Sequence, residues 1–282
     1  MKHTRLFLFA GYDRNGIVDD ALVLYVQQLN KFGDIVFCMD CDTKKSEIKK
    51  IEKFCIHTMA ARHGEYDFGS YKRAYIYARD NKLLEKYDYI YLVNDSVFGP
   101  TLDMTNVFNK MESSNTDACG MVISKHKTHE FMESWFIRLN KKIFTSAWFA
   151  KFISSVTKLS DKTSVTIQYE HGLTNLIIEH NCTISGVYTI YGRYTYNNTT
   201  RLFLRECPII KKASFSRHNG AIGGQIKYIL RHTDDTTHNA IMNSANRLYG
   251  MEYMKKFLTS NPFKILVRNI KYAAHKIKDG EI

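Results

Sequence analysis

Short apolar runs punctuate the first 125 residues, and most are followed by stretches whose apolar positions recur at helical spacing. RLFLF (5–9), DIVFCM (34–39), FCIHTMA (54–60), YDYIYLVND (87–95) and DACGMVIS (117–124) are short and nearly continuous, which predicts strands buried on both faces. Between them, DDALVLYVQQLNKFG (19–33) carries Leu22, Tyr25, Val26 and Leu29 on one helical face and stops at Gly33. A basic stretch over 43–53 and FGSYKRAYIYARDN (68–81) predict two more helices. Strand alternating with helix predicts an α/β fold, a mostly parallel Rossmann-type sheet flanked by helices. EFMESWFIRLN (130–140) reads as one further strand.

The second half is less regular. SAWFAKFISSV (146–156) is amphipathic, YEHGLTNLIIEHN (169–181) predicts a helix with Leu173, Leu176 and Ile177 inward, and CTISGVYTIY (182–191) predicts a strand. In the tail, NPFKILVRNIKYAAHKIKDG (261–280), Phe263, Leu266, Val267, Ile270, Ala274 and Ile277 fall on one face and the lysines and Arg268 elsewhere. That is an amphipathic basic helix, suited either to closing the domain or to an anionic membrane surface. No linker-like cluster interrupts the chain, so the expectation is a single domain over 1–235 with a helical extension over 236–282.

Composition narrows the choice. The chain is 44% hydrophobic and 13% aromatic, enough for a sizeable core, and no apolar run approaches the roughly 18 residues of a membrane span. The opening MKHTRLFLFAGYD has an apolar centre of only 6–10, a strand rather than a leader. Six cysteines, at 38, 41, 55, 119, 182 and 207, are too scattered for a disulfide framework, so a reducing, cytoplasmic setting is expected. Cys38-Met-Asp-Cys41 has no second pair to complete a zinc site, and the sequons at Asn181, Asn197 and Asn198 carry no weight without secretion. Forty Lys and Arg against 28 Asp and Glu, a net +12, favour anionic partners. Without an RNP signature, zinc finger or helix-turn-helix, nucleic acid is not expected among them.

No G-x-G-x-x-G follows the first strand and no P-loop occurs anywhere. Tyr12, after that strand, offers a stacking face, and Asp40 could meet a base or ribose; loop packing explains either residue alone. ARHGEYDFGSYKRAY (61–75) gathers Gly64, Gly69, Asp67, Lys72 and Arg73 between a strand and a helix, and Asp67 also suits a helix cap. Asn94-Asp95-Ser96 ends the central strand, either as a turn or as a ligand to something bound at the sheet edge.

EYDFGSYKRAY, YDYIYLVNDSVFGP, YEHGLTNLIIEH and CPIIKK, in that order, resemble the rhamnan-synthesis protein F family of bacterial polysaccharide glycosyltransferases over roughly residues 5–215. The resemblance implies a GT-A-like domain that moves a sugar, rhamnose or another deoxyhexose, from a nucleoside diphosphate to a glycan or lipid-linked acceptor of an O-antigen-like surface polysaccharide. A galactofuranosyl or hexosyl transferase is the nearest variant, and a non-catalytic module binding an anionic glycan or nucleotide is the alternative of a different class. It places Asn94, Asp95 and Ser96 where GT-A enzymes carry Asp-x-Asp, making Asp95 a donor-site residue and the ligand of a divalent cation, magnesium or manganese, if one is used. Only one acid remains of that motif, so Lys211, Lys212, Arg217 and His218 are the candidates to neutralise the leaving diphosphate, against the alternative of a solvated basic face. The family's Asn-x-Gly before Tyr-Asp-Phe-Gly is replaced by His63-Gly64-Glu65. Glu170 resembles in placement the general base of inverting members, at the start of a late helix, where it would equally complement a helix dipole. The expected location is the cytoplasm, with the basic tail helix, where it does not close the domain, holding the protein peripherally on the anionic inner face of the plasma membrane.

Overall fold

The computed structural model describes residues 4–125, 129–191, 194–217 and 220–278. In chain order β1 (Arg5–Gly11), α1 (Asp20–Asn30), β2 (Asp34–Met39), α2 (Lys45–Glu52), β3 (His57–Ala60), α3 (Tyr66–Asp80) and β4 (Tyr89–Asn94) keep the expected alternation. There follow β5 (Val97–Phe98), α4 (Thr105–Glu112), β6 (Ala118–Lys125), β7 (Glu130–Met132), β8 (Phe136–Asn140), α5 (Lys141–Phe144) and α6 (Ala147–Ser154). Then come α7 (Lys162–Val165), α8 (Gly172–Glu179), β9 (Ile184–Tyr191), α9 (Tyr194–Asn197), α10 (Thr199–Leu204) and β10 (Ile210–Lys211). The last helices are α11 (Gly220–Leu230), α12 (Asp235–Tyr249), α13 (Met251–Phe257) and α14 (Pro262–Lys278). The α/β class is as expected, and the chain packs as two compact units, 1–95 with 105–192 and 96–104 with 193–282. The anticipated limit at 235 falls on the first residue of α12, inside the second unit.

In the first unit the sheet runs β3-β2-β1-β4-β8-β6-β7, with β9 also beside β6. The block β3-β2-β1-β4 is parallel, and β8 joins it antiparallel to β4. β1 needs two covered faces because its side chains alternate between two apolar layers. Phe7 and Phe9 meet Tyr91, Phe108, Tyr25 and Phe37, with ring centroids 5.2–5.8 Å apart. Leu6, Leu8 and Ala10 belong to the layer of Phe68, Tyr71, Ala74 and Tyr75 from α3. Burying each such large apolar side chain contributes roughly 1.5–3 kcal/mol. Asp19 caps α1, accepting from the Leu22 N–H at 3.0 Å.

The strand expected over 130–140 is broken. β7 and β8 both pair with β6, Met132 against Ile123 and Ile137 against Gly120, and Glu133-Ser134-Trp135 bulge between them. The bulge has a partner on β4: the Trp135 carbonyl accepts the Asn94 N–H at 3.2 Å. A one-strand pattern cannot register that the segment is interrupted midway, keeping β6 as a neighbour on both sides of the break and gaining β4 only after it.

In the second unit β5 pairs antiparallel with β10, Val97 against Lys211 and Phe98 against Ile210. Phe215 packs between Tyr249 of α12 and Phe257 of α13, at centroid distances of 6.2 and 6.3 Å. Asp234 caps α12 through the Thr237 N–H at 3.0 Å.

Candidate active site

Going from β1 to β2 the chain steps one way across the sheet, and β4 lies on the other side of β1. The loops after β1 and β4 therefore diverge at a topological switch point, where a crevice opens beyond the carboxyl ends of parallel strands. The register Ala10↔Asn94 brings both strand ends level, and the Asp95 N–H donates to the Ala10 carbonyl at 3.1 Å. Asp95 is buried there. On the β1 side the exposed Tyr12 is followed by Asp13, a buried carboxylate whose Oδ1 accepts from the Asn15 and Ile17 N–H groups at 2.8 and 3.1 Å. Both acids act on Cys41, whose thiol is pushed up first by burial and further by the charges of Asp13 and Asp95.

Asn94 and Asp67 meet: the Asn94 Nδ2 donates to Asp67 Oδ2 at 2.8 Å. Asp67 thus sits in the first turn of α3 with a side-chain partner on β4, and the residue in the cap position is Glu65, which makes no side-chain cap bond. Beside this pair Tyr71 is fully buried, its phenol donating to the Ser134 carbonyl at 2.9 Å. Burial, then the negative charges of Asp67 and Glu170, hold that phenol well above its usual range, so it stays a neutral donor.

The bulge also gathers Glu170. Its Oε2 accepts from the Ser134 N–H at 2.9 Å and from the Ser134 hydroxyl, while among the described residues Oε1 takes no hydrogen bond. The expectation that Glu170 begins a helix is corrected. Asp161 caps the helical run by accepting from the Ser164 N–H at 2.9 Å, and α7 passes into a π-helical turn, Thr166–His171, before α8. Glu170 lies in that turn, too far along the run to meet unpaired N–H groups, which removes the helix-dipole explanation. π-turns of this kind often occur at functional sites. The His171 ring lies against that of Phe131, tilted by 37° with centroids 4.0 Å apart.

Asp40, one residue past β2, is buried, and its Oδ1 accepts the His63 and Gly64 N–H groups, each at 2.8 Å. It therefore anchors the loop before α3. His63 Nδ1 accepts the Glu65 N–H at 3.1 Å, which puts the ring proton on Nε2, donating to Ser70 Oγ at 3.0 Å. Burial lowers the His63 pKa, with Asp40 3.5 Å away pulling the other way. Lys72 has partners of its own within the fold: its ammonium pairs with Glu65 at 2.7 Å and donates to the Val156 carbonyl at 2.6 Å.

On the second unit, Lys211 is buried and donates to Ser96 Oγ at 2.9 Å, and the Lys212 N–H donates to the Ser96 carbonyl at 2.9 Å. Tyr196 is flanked by two cations, Arg217 at 4.8 Å and Lys211 Nζ at 5.9 Å from its centroid, and Lys212 lies 5.5 Å from the Phe98 ring. His218 lies outside the described residues.

Among the described residues no group of three or more His, Cys, Asp or Glu is arranged to hold a metal ion. Asp95 is a single carboxylate, and Asp13, whose charge acts on the same Cys41 thiol, uses Oδ1 on backbone N–H groups. Among the described residues the protein alone does not make a closed metal site. Magnesium, however, is commonly held by one or two carboxylates together with substrate phosphates, and Asp95 fits that lesser role.

Sequence reasoning passed over Asp13, Ser134 and Tyr71. Asp13 ends AGYD at a strand end and could have been found by the rule that used Asp95. Ser134 and Tyr71 gave no signal, since one lay in an apparent strand and the other on the apolar face of a helix.

The family model described as Rhamnan synthesis protein F matches residues 20–277. An uncharacterised protein of Sinorhizobium fredii, y4gN, is 20% identical over 166 residues, 58% of this chain and 43% of that one, so the chain spans under half that relative's length. Among solved structures, a protein of Desulfovibrio desulfuricans G20 provisionally described as a nucleotide-diphospho-sugar transferase is 13% identical, covering 90% of this chain and 99% of that one, with a TM-score of 0.43. Core-mannan synthase A of Aspergillus fumigatus, in a Mn/GDP form, is 11% identical over 68% of this chain and 73% of its own, at 0.37. S. aureus TarS 1–349 is 9% identical over 91% and 90%, at 0.35. The family match runs from the first residue of α1 to the last turn of α14, and the chain belongs to the rhamnan synthesis protein F family.

Proposed function

We propose that this protein is a nucleotide-sugar glycosyltransferase of surface-polysaccharide synthesis, transferring rhamnose or another deoxyhexose with inversion to a glycan or lipid-linked glycan acceptor. The observation that carries the reading is the junction at the β4 end: buried Asp95, the Asn94–Asp67 bond, and Glu170 held by Ser134 on the bulge that pairs with Asn94. Asp95 and Asn94 bind the ribose–diphosphate part of the donor, Asp67 fixes the Asn94 amide, and Tyr12 supplies a face for the base. Asp40 serves the donor indirectly by holding the loop at His63 and Gly64.

In the transfer the acceptor oxygen attacks the anomeric carbon, the bond from that carbon to the phosphate oxygen breaks, and the acceptor proton passes to Glu170 Oε1. Ser134 holds Oε2 and so sets the direction of the other oxygen. The nucleoside diphosphate leaves with the bonding electron pair. A magnesium or manganese ion shared between Asp95 and the phosphates would supply Lewis-acid stabilisation of that charge. Addition to a lipid-linked acceptor places the protein at the cytoplasmic face of a membrane; no helix among the described residues is long and apolar enough to cross one.

The test is turnover of dTDP-, UDP- and GDP-sugars with and without EDTA, with the anomeric configuration of the product read by NMR. Glu170→Gln keeps the size and the Ser134 bonds but cannot take the proton, so kcat should fall roughly 10²–10⁴-fold with donor affinity nearly unchanged. Retention of configuration, or an unimpaired Gln variant, would remove Glu170 from the chemistry.

A further inference from the structure

α14 does not seat itself by its apolar stripe. Phe263, Leu266, Val267 and Ile270 stand at i, i+3, i+4 and i+7, one face of a helix, and their exposures are 72%, 54%, 36% and 60%. The helix is held instead by the opposite side: Ile265 is half-buried, and Arg268 donates to the carbonyls of Phe257 and Lys256 at 3.1 and 2.5 Å. At 100° per residue Ile265 and Arg268 lie well round from the stripe, while Lys264 and Lys271 flank it on one side. Residues 253–278 contain seven Lys and Arg and no Asp or Glu. Beside the seat, Lys227, Arg231 and His232 line a cavity of about 400 Å³ with Ile265.

We propose that α14 lies flat on an anionic phospholipid surface, with Phe263, Leu266, Val267 and Ile270 among the acyl chains and Lys264 and Lys271 at the headgroup phosphates. This rests on the peripheral-membrane part of the proposed function and not on its chemistry. Charge selects the occupant. A second copy would bring the same uncompensated cations to the stripe, whereas an anionic bilayer supplies both an apolar layer and the opposite charge.

The test is co-sedimentation of the full chain with vesicles of phosphatidylcholine alone or with roughly 30% of the anionic lipid phosphatidylglycerol, which gives the surface a negative potential. The wild-type chain should bind the anionic vesicles at least about tenfold more tightly than the neutral ones. Leu266→Glu/Ile270→Glu and, separately, Lys264→Glu/Lys271→Glu should each weaken that binding by about tenfold or more. All four side chains are exposed, so the melting temperature should not move. Wild-type protein that ignores both vesicles overturns the peripheral reading and this one together. Wild-type binding that both variants retain overturns the assignment to α14 alone. A dimer in sedimentation velocity that the Leu266→Glu/Ile270→Glu variant dissolves would give the stripe to a second copy and overturn the proposal.

Discussion

His63 shows how one residue's environment makes the loop before α3 sensitive to acid. Its Nδ1 must be unprotonated to accept the Glu65 N–H, and burial lowers its pKa against the pull of Asp40. A histidine with a lowered folded pKa binds fewer protons folded than unfolded between the two values. Its contribution is therefore complete above the unfolded pKa of about 6.5 and is lost as pH falls below it towards the folded value. His63→Asn keeps an acceptor near Nδ1 and has no proton to gain. Urea unfolding should give wild-type stability that declines from about pH 6.5 downward and a shallower decline in the variant. Equal slopes would mean that the acid sensitivity lies elsewhere.

Among elements, α3 and α8 each carry a glycine, and the same substitution should have opposite signs in the two. A Cβ at Gly69 would lie 2.3 Å from Glu65 Cβ and 2.8 Å from His63 Cε1. Glu65 Cβ is fixed to the backbone and cannot swing aside, so the clash outweighs the gain in helix propensity. Gly69→Ala should cost about 1–3 kcal/mol. At Gly172 the nearest atoms are 3.8 and 4.0 Å away, ordinary contact. Gly172→Ala should stabilise by about 0.4–1 kcal/mol through the unfolded chain. Denaturant midpoints for the pair decide it: a harmless Gly69→Ala would show that the first turn of α3 can shift, freeing Asp67 from its fixed place against Asn94.

At the scale of the whole molecule, a net charge of +12 and an exposed apolar stripe on α14 act over different distances. Electrostatic attraction to a membrane is screened, with a Debye length of about 8 Å at physiological salt and 3 Å at 1 M, whereas insertion of the stripe is not weakened by salt. Vesicle binding should fall by at least about tenfold between 0.1 and 1 M NaCl and leave a salt-resistant remainder. That remainder should disappear in Leu266→Glu/Ile270→Glu. Salt-independent binding would assign the interaction to the stripe without the cations.

Much of this protein is set by short-range pattern. Two-sided apolar runs define β1, β2 and β4, helical spacing defines α1 and α3, and an acid stranded at the end of a buried strand marks Asp95, because each depends only on neighbours a few residues away. Long-range pairing decided the rest. The order β2-β1-β4 makes the switch point, where Ala10 and Asn94 end level, and the divided 130–140 segment delivers Ser134 to Glu170. Nothing within three or four residues of Lys72 indicates that it would meet the Val156 carbonyl, 84 residues away. The stripe of α14 is equally legible as an apolar face and illegible as to what covers it. Periodicity states which side of an element avoids water; only tertiary packing states what, if anything, that side is packed against.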